Sequence, residues 1–446
     1  MRPHPFAALS AQGERKEGMN GNGYGFTDRE LTDAEAEEVC DAAVKDWKVD
    51  GRRILLLVPD HTRTCPLDKM FRRLYPRIAS RAKAFDVLIA LGTHQPLSEA
   101  SIYERMGITA LEHRTVFSKT RFFNHAWNDP AQLMSLGQIS RNEIRDLTDG
   151  LFEMDVEVTC NRMIEEYDLL VILGPVFPHE VVGYSGGNKY IFPGISGPDI
   201  LNFFHWLGAV ITNPRIIGNK WTPVRKVLDR AAARLSIERR ALCMVVKGTG
   251  LAGLYQGTAE SAWSDAADLS RKIHIEYHES PYHTVLSCAP KMYDEIWVGA
   301  KCMYKLEPVV ADGGTLIIYA PHIRDISLTH GRLIEIIGYH TRDYFLKQWE
   351  QYKHYPWGIL AHSTHVRGIG TFQDGKETPR IQVILATQIP EDVCRRINLG
   401  YMDPEDIHPI DYQNRENQGI LYVPKAGEIL HRWRYAPPEL GGSESS

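Results

Sequence analysis

Apolar runs that alternate with amphipathic segments constrain the fold of this chain more than any other feature of its sequence. Residues 53–58, 85–91 and 167–173 are rich in Leu, Ile and Val, which is typical of strands buried on both faces. Residues 222–235 repeat apolar side chains every three to four positions, as an amphipathic helix does. The alternation resumes after residue 277. It predicts an α/β fold with mainly parallel sheets flanked by helices.

The length of 446 residues is enough for two hydrophobic cores, so we expect two α/β domains. We place the first at residues 26–275 and the second at 276–435, with the active site in the cleft between them. Residues 1–25 contain several glycines and no apolar segment of the signal-peptide kind, which predicts a flexible leader. Residues 436–446 are expected to form a polar tail.

Three segments carry finer expectations about secondary structure. Residues 144–146 are predicted to begin a strand that pairs with residues 153–158. Residues 295–310 and 333–352 are each predicted to form one helix, because apolar side chains recur along them.

The composition excludes several classes of partner. A formal net charge of -5 provides no basic field for nucleic acid. No apolar run reaches the ~18 residues of a membrane-spanning helix. The seven cysteines are odd in number and contain no C-x-x-C pair, which argues against a disulfide framework or structural zinc and favours a reducing cytoplasm.

The stretch 174–205 has the composition of a functional loop. It follows the apolar run 167–173, and its first 24 residues hold nine glycines or prolines. It also carries His179, Lys189 and His205. Long irregular loops inside compact domains are usually functional, and ligands of open α/β sheets bind beyond the carboxyl ends of the strands. The sequence therefore predicts the ligand site here, ahead of a helix that begins at Pro198.

Two known loop motifs fit this stretch poorly. The segment 183–187 satisfies G-x-S-x-G, the nucleophile elbow of serine hydrolases. That elbow needs a strand directly before it and a helix directly after it, but nine residues separate Leu173 from Gly183, and Pro193 would break a helix. The phosphate-binding spacing G-x-x-x-x-G-K-[ST] is absent.

Several separated motifs, in register over roughly residues 50–425, carry a resemblance to a known family. They are Asp60-His61-Thr62-Arg63, Gly92-Thr93-His94, His179, the run Gly-Tyr-Ser-Gly-Gly-x-Lys that ends at Lys189, Phe192-Pro193-Gly194-Ile195, and His205. With these motifs the chain resembles the lactate racemase family. The resemblance implies an isomerase, namely a racemase or epimerase of a 2-hydroxycarboxylic acid. It also implies partner enzymes that synthesise the cofactor of this isomerase.

The resemblance also implies a cofactor, the nickel-pincer nucleotide. This is nickel pyridinium-3,5-bisthiocarboxylic acid mononucleotide, which holds nickel through sulfur, carbon and sulfur. In the family, the lysine that matches Lys189 is joined to it through a thioamide, and the histidine that matches His205 ligates the nickel. Residues 26–275 would then be the cofactor-binding domain. The implied cofactor-binding residues are Lys189, Asp60, Ser185, Gly186 and Gly187.

The family's acid/base histidines match His94 and His179, one for each face of the substrate carbon. Without the resemblance, a lone histidine such as His94 is more often structural than catalytic. An Asp-x-x-Arg loop is likewise more often a helix cap with a surface ion pair. The resemblance instead makes Arg63 a ligand of the substrate carboxylate. It implies reversible hydride transfer from C2 to the cofactor while a histidine takes the hydroxyl proton.

Substrate contacts are also expected from the segment 297–301. Lys301 matches a lysine that holds the substrate in the family, whereas the glutamine three residues before it is replaced by Val298, next to Trp297. A valine cannot make the hydrogen bond of a side-chain amide. The sequence therefore predicts a substrate larger than lactate.

Other interpretations of the same residues stay open. The protein could bind or carry the cofactor without catalysis, or His94, His179 and His205 could hold zinc in a hydrolase. His274, His278 and His283 are weak candidates for a separate metal site, and His322 is expected to be a loop histidine.

Overall fold

The structure, a computed structural model, describes residues 22–442. Most of the predicted leader and the last four residues of the predicted tail lie outside the described residues. Within them, Gly23–Gly25 forms an edge strand, and Pro438–Leu440 forms a 3-10 turn.

The first sheet has seven strands. Five of them run parallel, from Glu238–Lys247 to Phe122–Asn124, and Gly250–Thr258 pairs antiparallel with both Glu238–Lys247 and Gly23–Gly25. In spatial order the strands are Gly23–Gly25, Gly250–Thr258, Glu238–Lys247, Leu169–Pro175, Arg53–Pro59, Ala84–Ala90 and Phe122–Asn124. The central strand, Leu169–Pro175, is buried at every position, which agrees with its continuous apolar sequence.

Helices cover both faces of this sheet. Alternate side chains of the strand Arg53–Pro59 enter different cores, with Leu55 and Leu57 in one and Ile54 and Leu56 in the other, because successive side chains of a strand point to opposite faces. The helices of this part of the chain are Asp33–Trp47, Leu67–Ile78, Glu99–Met106, Ala110–Thr115, Arg141–Leu147, Pro198–Ile211, Asn213–Ile216, Pro223–Ala232 and Ala259–Ile273.

The second sheet has five strands, all parallel. In spatial order they are Gly400–Tyr401, Gln382–Thr387, Val310–Ala320, Tyr282–Cys288 and Ile420–Val423. The accompanying helices are Ile296–Gly299, Lys301–Tyr304, Gly331–Ile337, Arg342–Lys347, Trp349–Tyr352, Trp357–Arg367 and Glu391–Arg396. The prediction of an α/β fold with mainly parallel sheets is therefore confirmed.

Four two-stranded ribbons complete the strand pairing. They are Ile275–His278 with Leu430–Trp433 (parallel), and the antiparallel pairs Gly370–Gln373 with Lys376–Pro379, Leu133–Ile139 with Val156–Asn161, and Pro178–His179 with Gly183–Tyr184. Further 3-10 turns lie at Pro130–Gln132, Arg162–Glu166, Gly187–Tyr190, Glu307–Val309, Pro404–Asp406, Pro409–Tyr412 and Glu416–Gln418.

Three of the finer expectations are wrong. Residues 144–146 lie in the helix Arg141–Leu147, whose first turn is capped by the Ser140 side chain, and the partner of Val156–Asn161 is Leu133–Ile139. Residues 295–310 form two four-residue helices and a 3-10 turn. The predicted helix 333–352 is broken at Gly338, which has a φ of 77°, so that three shorter helices replace it.

Two helices join the two sheets. The helix Pro198–Ile211 packs against Trp357–Arg367, and the backbone N–H of Gly358 donates to Asn202 Oδ1 at 2.9 Å. A Cβ at Gly358 would lie 3.3 Å from the same oxygen, so the helices approach closely here. Among residues 22–442, no helix is both long and apolar enough to cross a membrane.

Candidate active site

One cavity lies between the two sheets, at the carboxyl ends of the first sheet's parallel strands. Eleven of the twelve predicted site residues line it: Asp60, Arg63, His94, His179, Ser185, Gly186, Lys189, His205, Trp297, Val298 and Lys301. Gly187 lies behind the wall, where a Cβ would come within 2.8 Å of the Ala259 carbonyl oxygen. The cavity wall also includes residues that the sequence did not single out, above all Glu180, Tyr304, His362 and His365.

Ser185 stabilises the loop 174–205 through hydrogen bonds to its backbone and is not placed as a nucleophile. Its hydroxyl donates to the Pro175 carbonyl at 3.1 Å and accepts the Phe177 N–H at 2.9 Å. The Trp263 indole N–H donates to the Ser185 carbonyl at 2.9 Å. Since its hydroxyl hydrogen is engaged by a carbonyl and not by a base, the serine hydrolase interpretation has no support.

Lys189 enters the cavity from a tightly fixed turn. Gly186 and Gly187 have positive φ angles of 86° and 57°, which favour glycine. The neighbouring Asn188 side chain points away from the cavity and donates to Asp229 at 3.0 Å and to Glu260 at 2.7 Å. Burial, and next the charge of Arg63, lower the pKa of Lys189 to about 7. A large fraction of this amine is therefore neutral, and nucleophilic, near neutral pH.

His205 is held in the form that binds metals. It lies on the helix Pro198–Ile211, and its Nδ1–H donates to the Leu201 carbonyl one turn earlier at 2.7 Å. Burial lowers its pKa, so the ring is neutral. A neutral ring with its proton on Nδ1 leaves the lone pair of Nε2 free.

His94 is oriented by a buried carboxylate. Its Nδ1 bonds Asp60 Oδ2, and Asp60 Oδ1 accepts the N–H and the hydroxyl of Thr62 at 3.0 and 2.7 Å. Burial alone would raise the pKa of Asp60, but His94, Arg63 and these hydrogen bonds bring it well below its ordinary value. Asp60 is therefore ionised, and His94 Nδ1 is a donor.

His179 also has a carboxylate neighbour. Glu180 Oε2 lies 3.2 Å from His179 Nδ1, and the Val181 N–H reaches the same nitrogen at 3.2 Å. Burial lowers the pKa of His179 well below its ordinary value, and the charges of Lys189 and Arg63 lower it further. The ring is neutral at pH 7. Its Nδ1 accepts the Val181 N–H, and Glu180 Oε2 lies close enough to become its partner when Nδ1 carries a proton.

Three basic side chains, Arg63, Lys301 and Lys305, lie in this part of the site. Lys301 Nζ donates to the Thr62 carbonyl at 3.0 Å, and Lys305 Nζ donates to the Pro178 carbonyl at 2.5 Å. Burial alone would lower the pKa of Arg63, but neighbouring charges, that of Asp60 foremost, raise it, so Arg63 remains charged. Burial lowers the pKa of Lys305 to about 7 and the pKa of Lys301 well below its ordinary value. One charged guanidinium with two amine donors in buried surroundings suits an anionic ligand.

The second sheet contributes two buried histidines, His362 and His365, which lie three positions apart on the helix Trp357–Arg367. His362 donates from Nε2 to the Trp297 carbonyl at 3.2 Å, and its ring stacks on Trp297 with centroids 4.1 Å apart. His362 Nδ1 and His365 Nε2 are buried without a hydrogen-bond partner. Buried polar atoms normally have partners, so both nitrogens fit a site that is completed by a polar ligand.

Other predicted histidine groupings do not form. Among residues 22–442, the ligand atoms of His94, His179 and His205 do not meet as a metal-binding group. His274 bonds the Val246 carbonyl and His283 the Gln418 carbonyl, both through Nε2. His322, expected in a loop, bonds the Tyr293 carbonyl at 2.9 Å.

Fold and site together define an α/β protein with a histidine- and cation-rich ligand cavity between two mainly parallel sheets. Residues 29–216 match the lactate racemase N-terminal domain. The chain is similar to the lactate racemase family through this domain and two sequence relatives. It is 21% identical over 272 residues to the lactate racemase of Lactiplantibacillus plantarum and 23% identical over 284 residues to that of Thermoanaerobacterium thermosaccharolyticum.

The extent of these matches differs between sequence and structure. The sequence matches cover 60% and 62% of this chain, and 59% and 62% of the two relatives, so they span about three-fifths of the relatives' length. A crystal structure of a Thermotoga maritima protein superposes with a TM-score of 0.82 at 30% identity, over 91% of this chain and 100% of that chain. The apoprotein of the T. thermosaccharolyticum lactate racemase has the same fold, with a TM-score of 0.65 at 18% identity, over 93% and 95% of the two chains.

Proposed function

We propose that this protein is a nickel-pincer nucleotide-dependent racemase or epimerase of a 2-hydroxycarboxylic acid. One observation carries the proposal: a single cavity brings together Lys189, His205 and the acid/base candidates His94 and His179. A protein that only carried the cofactor would need Lys189 and His205, but not two further histidines that each lie beside a carboxylate.

The donor set fits the implied cofactor. Lys189, with a pKa of about 7, is suited to forming the covalent link at its amine. His205 has the free Nε2 lone pair of a nickel ligand. The unpartnered nitrogens of His362 and His365 leave hydrogen-bonding capacity for polar groups of the nucleotide or of the substrate. When bound, the cofactor would supply an electrophilic pyridinium ring suited to reversible hydride transfer.

The cations would hold the substrate. Arg63 offers a planar fork for a carboxylate, and Lys301 offers a second donor in the same cavity. Holding the carboxylate at two points fixes the position of C2 and its hydroxyl, which lowers the entropic part of the barrier.

Proton transfer would be the task of the two histidines. His179, neutral at pH 7, takes the hydroxyl proton at Nε2 in the tautomer that carries its proton on Nδ1, and Glu180 Oε2, 3.2 Å away, would accept that Nδ1–H. His94, held by Asp60, serves the opposite face and returns a proton there. The roles reverse in the other direction, since the same two groups must act as acid and base in turn.

A substrate larger than lactate is supported by the cavity wall. Val298 presents an apolar surface, and Trp297 presents an aromatic one that is stacked on His362. A second cavity continues past Trp297 and Val298 toward Thr329 and His330. Room of this kind favours a hydroxy acid with a longer chain.

The test is to produce the protein together with the enzymes that make the cofactor, which would be its partners in the cell. We expect one nickel per chain, and interconversion of stereoisomers for at least one 2-hydroxy acid, measured by chiral chromatography. Lys189→Ala, made in parallel, should contain no covalently bound nucleotide. Nickel without turnover on any substrate would support a carrier, and protein that acquires neither nickel nor added mass would refute the proposal.

The seven cysteines form no disulfide, so we also propose a reducing compartment, the cytoplasm.

A further inference from the structure

We propose that Glu276, His278 and His431 form a binding site for a divalent transition metal such as Zn²⁺, separate from the active-site cavity. The three residues come from the parallel ribbon of Ile275–His278 and Leu430–Trp433, in which Glu276 pairs with His431. Glu276 and His278 are two positions apart and share a face of the strand. His431, opposite Glu276, lies on that same face, so the register alone brings the three side chains together.

The spacing of the ligand atoms matches tetrahedral coordination. His278 Nε2 and His431 Nδ1 are hydrogen-bonded to each other at 2.9 Å, and a metal would displace the proton between them, as metal binding to histidine generally does. The two oxygens of Glu276 lie 3.6 Å from His278 Nε2 and 3.8 Å from His431 Nδ1. Metal–ligand bonds of ~2.0–2.1 Å in a tetrahedron place neighbouring ligand atoms about 3.3 Å apart. The three observed distances surround this value, so only small side-chain movements would accommodate an ion.

The surroundings of His278 suit coordination, and the burial of the two histidines leaves one open side. His278 Nδ1 is 3.1 Å from the Tyr282 hydroxyl, which can accept an Nδ1–H and so leave the Nε2 lone pair for a metal. Both histidines are buried, whereas the Glu276 side chain is 59% exposed. An ion can therefore enter from the carboxylate side, and a water can complete the coordination.

The donor types select the class of metal. Two imidazoles and one carboxylate suit Zn²⁺ and its first-row neighbours, while Ca²⁺ and Mg²⁺ require oxygen ligands. The single carboxylate charge also offsets part of the charge of the ion.

The site would tie the chain end to the active site. The N–H of His431 donates to the Lys305 carbonyl at 2.9 Å, and Lys305 Nζ donates to Pro178, the residue before His179. An ion at the ribbon would thus fix the strand on which this part of the cavity wall rests. We assign it a structural role.

The experiment uses the full chain produced without the cofactor-making enzymes and freed of metal by chelation. Zinc is titrated while bound metal is measured by equilibrium dialysis and the melting temperature by scanning fluorimetry. We expect one zinc per chain at this site, and a rise in Tm of about 3 °C at 100-fold excess over Kd. Glu276→Gln, an exposed and conservative change, and His431→Asn should each lose the rise.

The control is His283→Gln, which alters a neighbouring histidine outside the cluster and should keep both the zinc and the rise in Tm. His205→Ala distinguishes the active-site cavity. Zinc binding that survives Glu276→Gln and His431→Asn, or that disappears in His205→Ala alone, would overturn the proposal, as would the absence of zinc binding in the unmutated chain. None of these outcomes depends on whether the protein is a racemase.

Discussion

Glu180 stands beside His179 as Asp60 stands beside His94. Glu180 Oε2 is 3.2 Å from His179 Nδ1, and Asp60 Oδ2 bonds His94 Nδ1. Each proposed acid/base thus has a carboxylate at the nitrogen that faces away from its reactive Nε2. A carboxylate in this position orients the ring and stabilises the imidazolium that forms when Nε2 takes a proton.

The first prediction follows from this pairing. Asp60→Asn and Glu180→Gln keep the size of the side chain but remove its charge. Each should lower kcat about 10- to 100-fold, the range seen when groups that orient a reactive or ligating residue are removed. In Glu180→Gln the nickel content should change little, because His205 is not altered. Unchanged kcat in Glu180→Gln would show that His179 works without its carboxylate.

The second prediction separates acid/base chemistry from metal binding. His94→Ala and His179→Ala should each abolish racemisation and keep nickel, whereas His205→Ala should lose nickel. A half-active enzyme is not expected, because each turnover uses both faces of the substrate carbon. Steady-state rates and metal analysis on the same preparations provide the measurement. Racemisation near the unmutated rate in His94→Ala would contradict the assignment of two bases.

The third prediction concerns the amine of Lys189. With a pKa of about 7, it is deprotonated at pH values where an ordinary lysine is still charged. In the cofactor-free protein, labelling of Lys189 by a small amine-reactive reagent should therefore rise through pH 7 and level off by about pH 8. Peptide mass spectrometry across this range measures it. Lys353, which lies outside the cavity, is the internal reference for the extent of labelling.

Lys189 should also carry the cofactor when the cofactor is available. Intact and peptide masses of the co-produced protein should then show the nucleotide at this residue. An unmodified Lys189 peptide from a preparation with stoichiometric nickel would contradict a covalent link.

The fourth prediction is that a 2-hydroxy acid longer than lactate has the higher kcat/KM. Val298 cannot offer the amide hydrogen bond, a loss of about 1–3 kcal/mol or roughly tenfold to a hundredfold when a buried partner is left unpaired. A panel of 2-hydroxy acids with varied chains tests it. Val298→Gln should shift the preference toward lactate, and Val298→Leu is the matched apolar control. Lactate as the best substrate of the unmutated protein would refute the argument from size.

The substrate panel can also test the transfer of hydrogen. Deuterium at C2 should slow the reaction and remain largely in the product, because a hydride does not exchange with water. Loss of the label to solvent would indicate proton abstraction instead.

The fifth prediction concerns acid stability. Burial lowers the pKa of His125 and His274 to about 4, and burial is likewise the first cause that lowers the pKa of His362 to about 3 and of His365 to about 4. Below pH 6.5 these histidines bind protons in the unfolded chain but stay neutral in the folded chain. The free energy of unfolding therefore has its full value above this pH. It falls as the pH drops toward 4, by at most ~1.4 kcal/mol per histidine and pH unit.

The melting temperature of the cofactor-free protein should accordingly be lower at pH 5 than at pH 7. His362→Gln, which removes one of these groups, should show a smaller difference between the two pH values. A melting temperature that is the same at pH 5 and pH 7 would contradict the assignment of neutral, buried rings.

The sequence alone predicts those site residues that directly follow a strand. Asp60 and His94 come just after buried apolar runs, and parallel strands bring their carboxyl ends to one edge. The resemblance supplied the positions of Lys189 and His205, and the cavity contains both. Ser185 shows the limit of a local motif, because its hydroxyl is engaged by backbone groups that lie eight and ten residues earlier.

The remaining site residues depend on contacts that no local pattern encodes. Eight of the eleven residues of the helix Trp357–Arg367 are buried, so it has no wide polar face whose period would reveal it. His362 and His365 were missed with that helix. Similarly, His431 meets Glu276 only because strands from distant parts of the chain pair in one register.

The close contact between Gly358 and Asn202 has a consequence for the path of the substrate. Backbone and side chain touch there, where a Cβ on Gly358 would lie 3.3 Å from Asn202 Oδ1, so the two helices leave little space between them at this side of the cleft. On the side of His94, the two halves are linked by an exposed hydrogen bond from Gln95 Nε2 to Thr329 Oγ1, 2.7 Å long. Because this hydrogen bond is exposed, bonds to water can replace it at little cost in free energy. The residues around it also line a second cavity. We therefore expect the substrate to enter on the side of the Gln95–Thr329 bond rather than between the two packed helices.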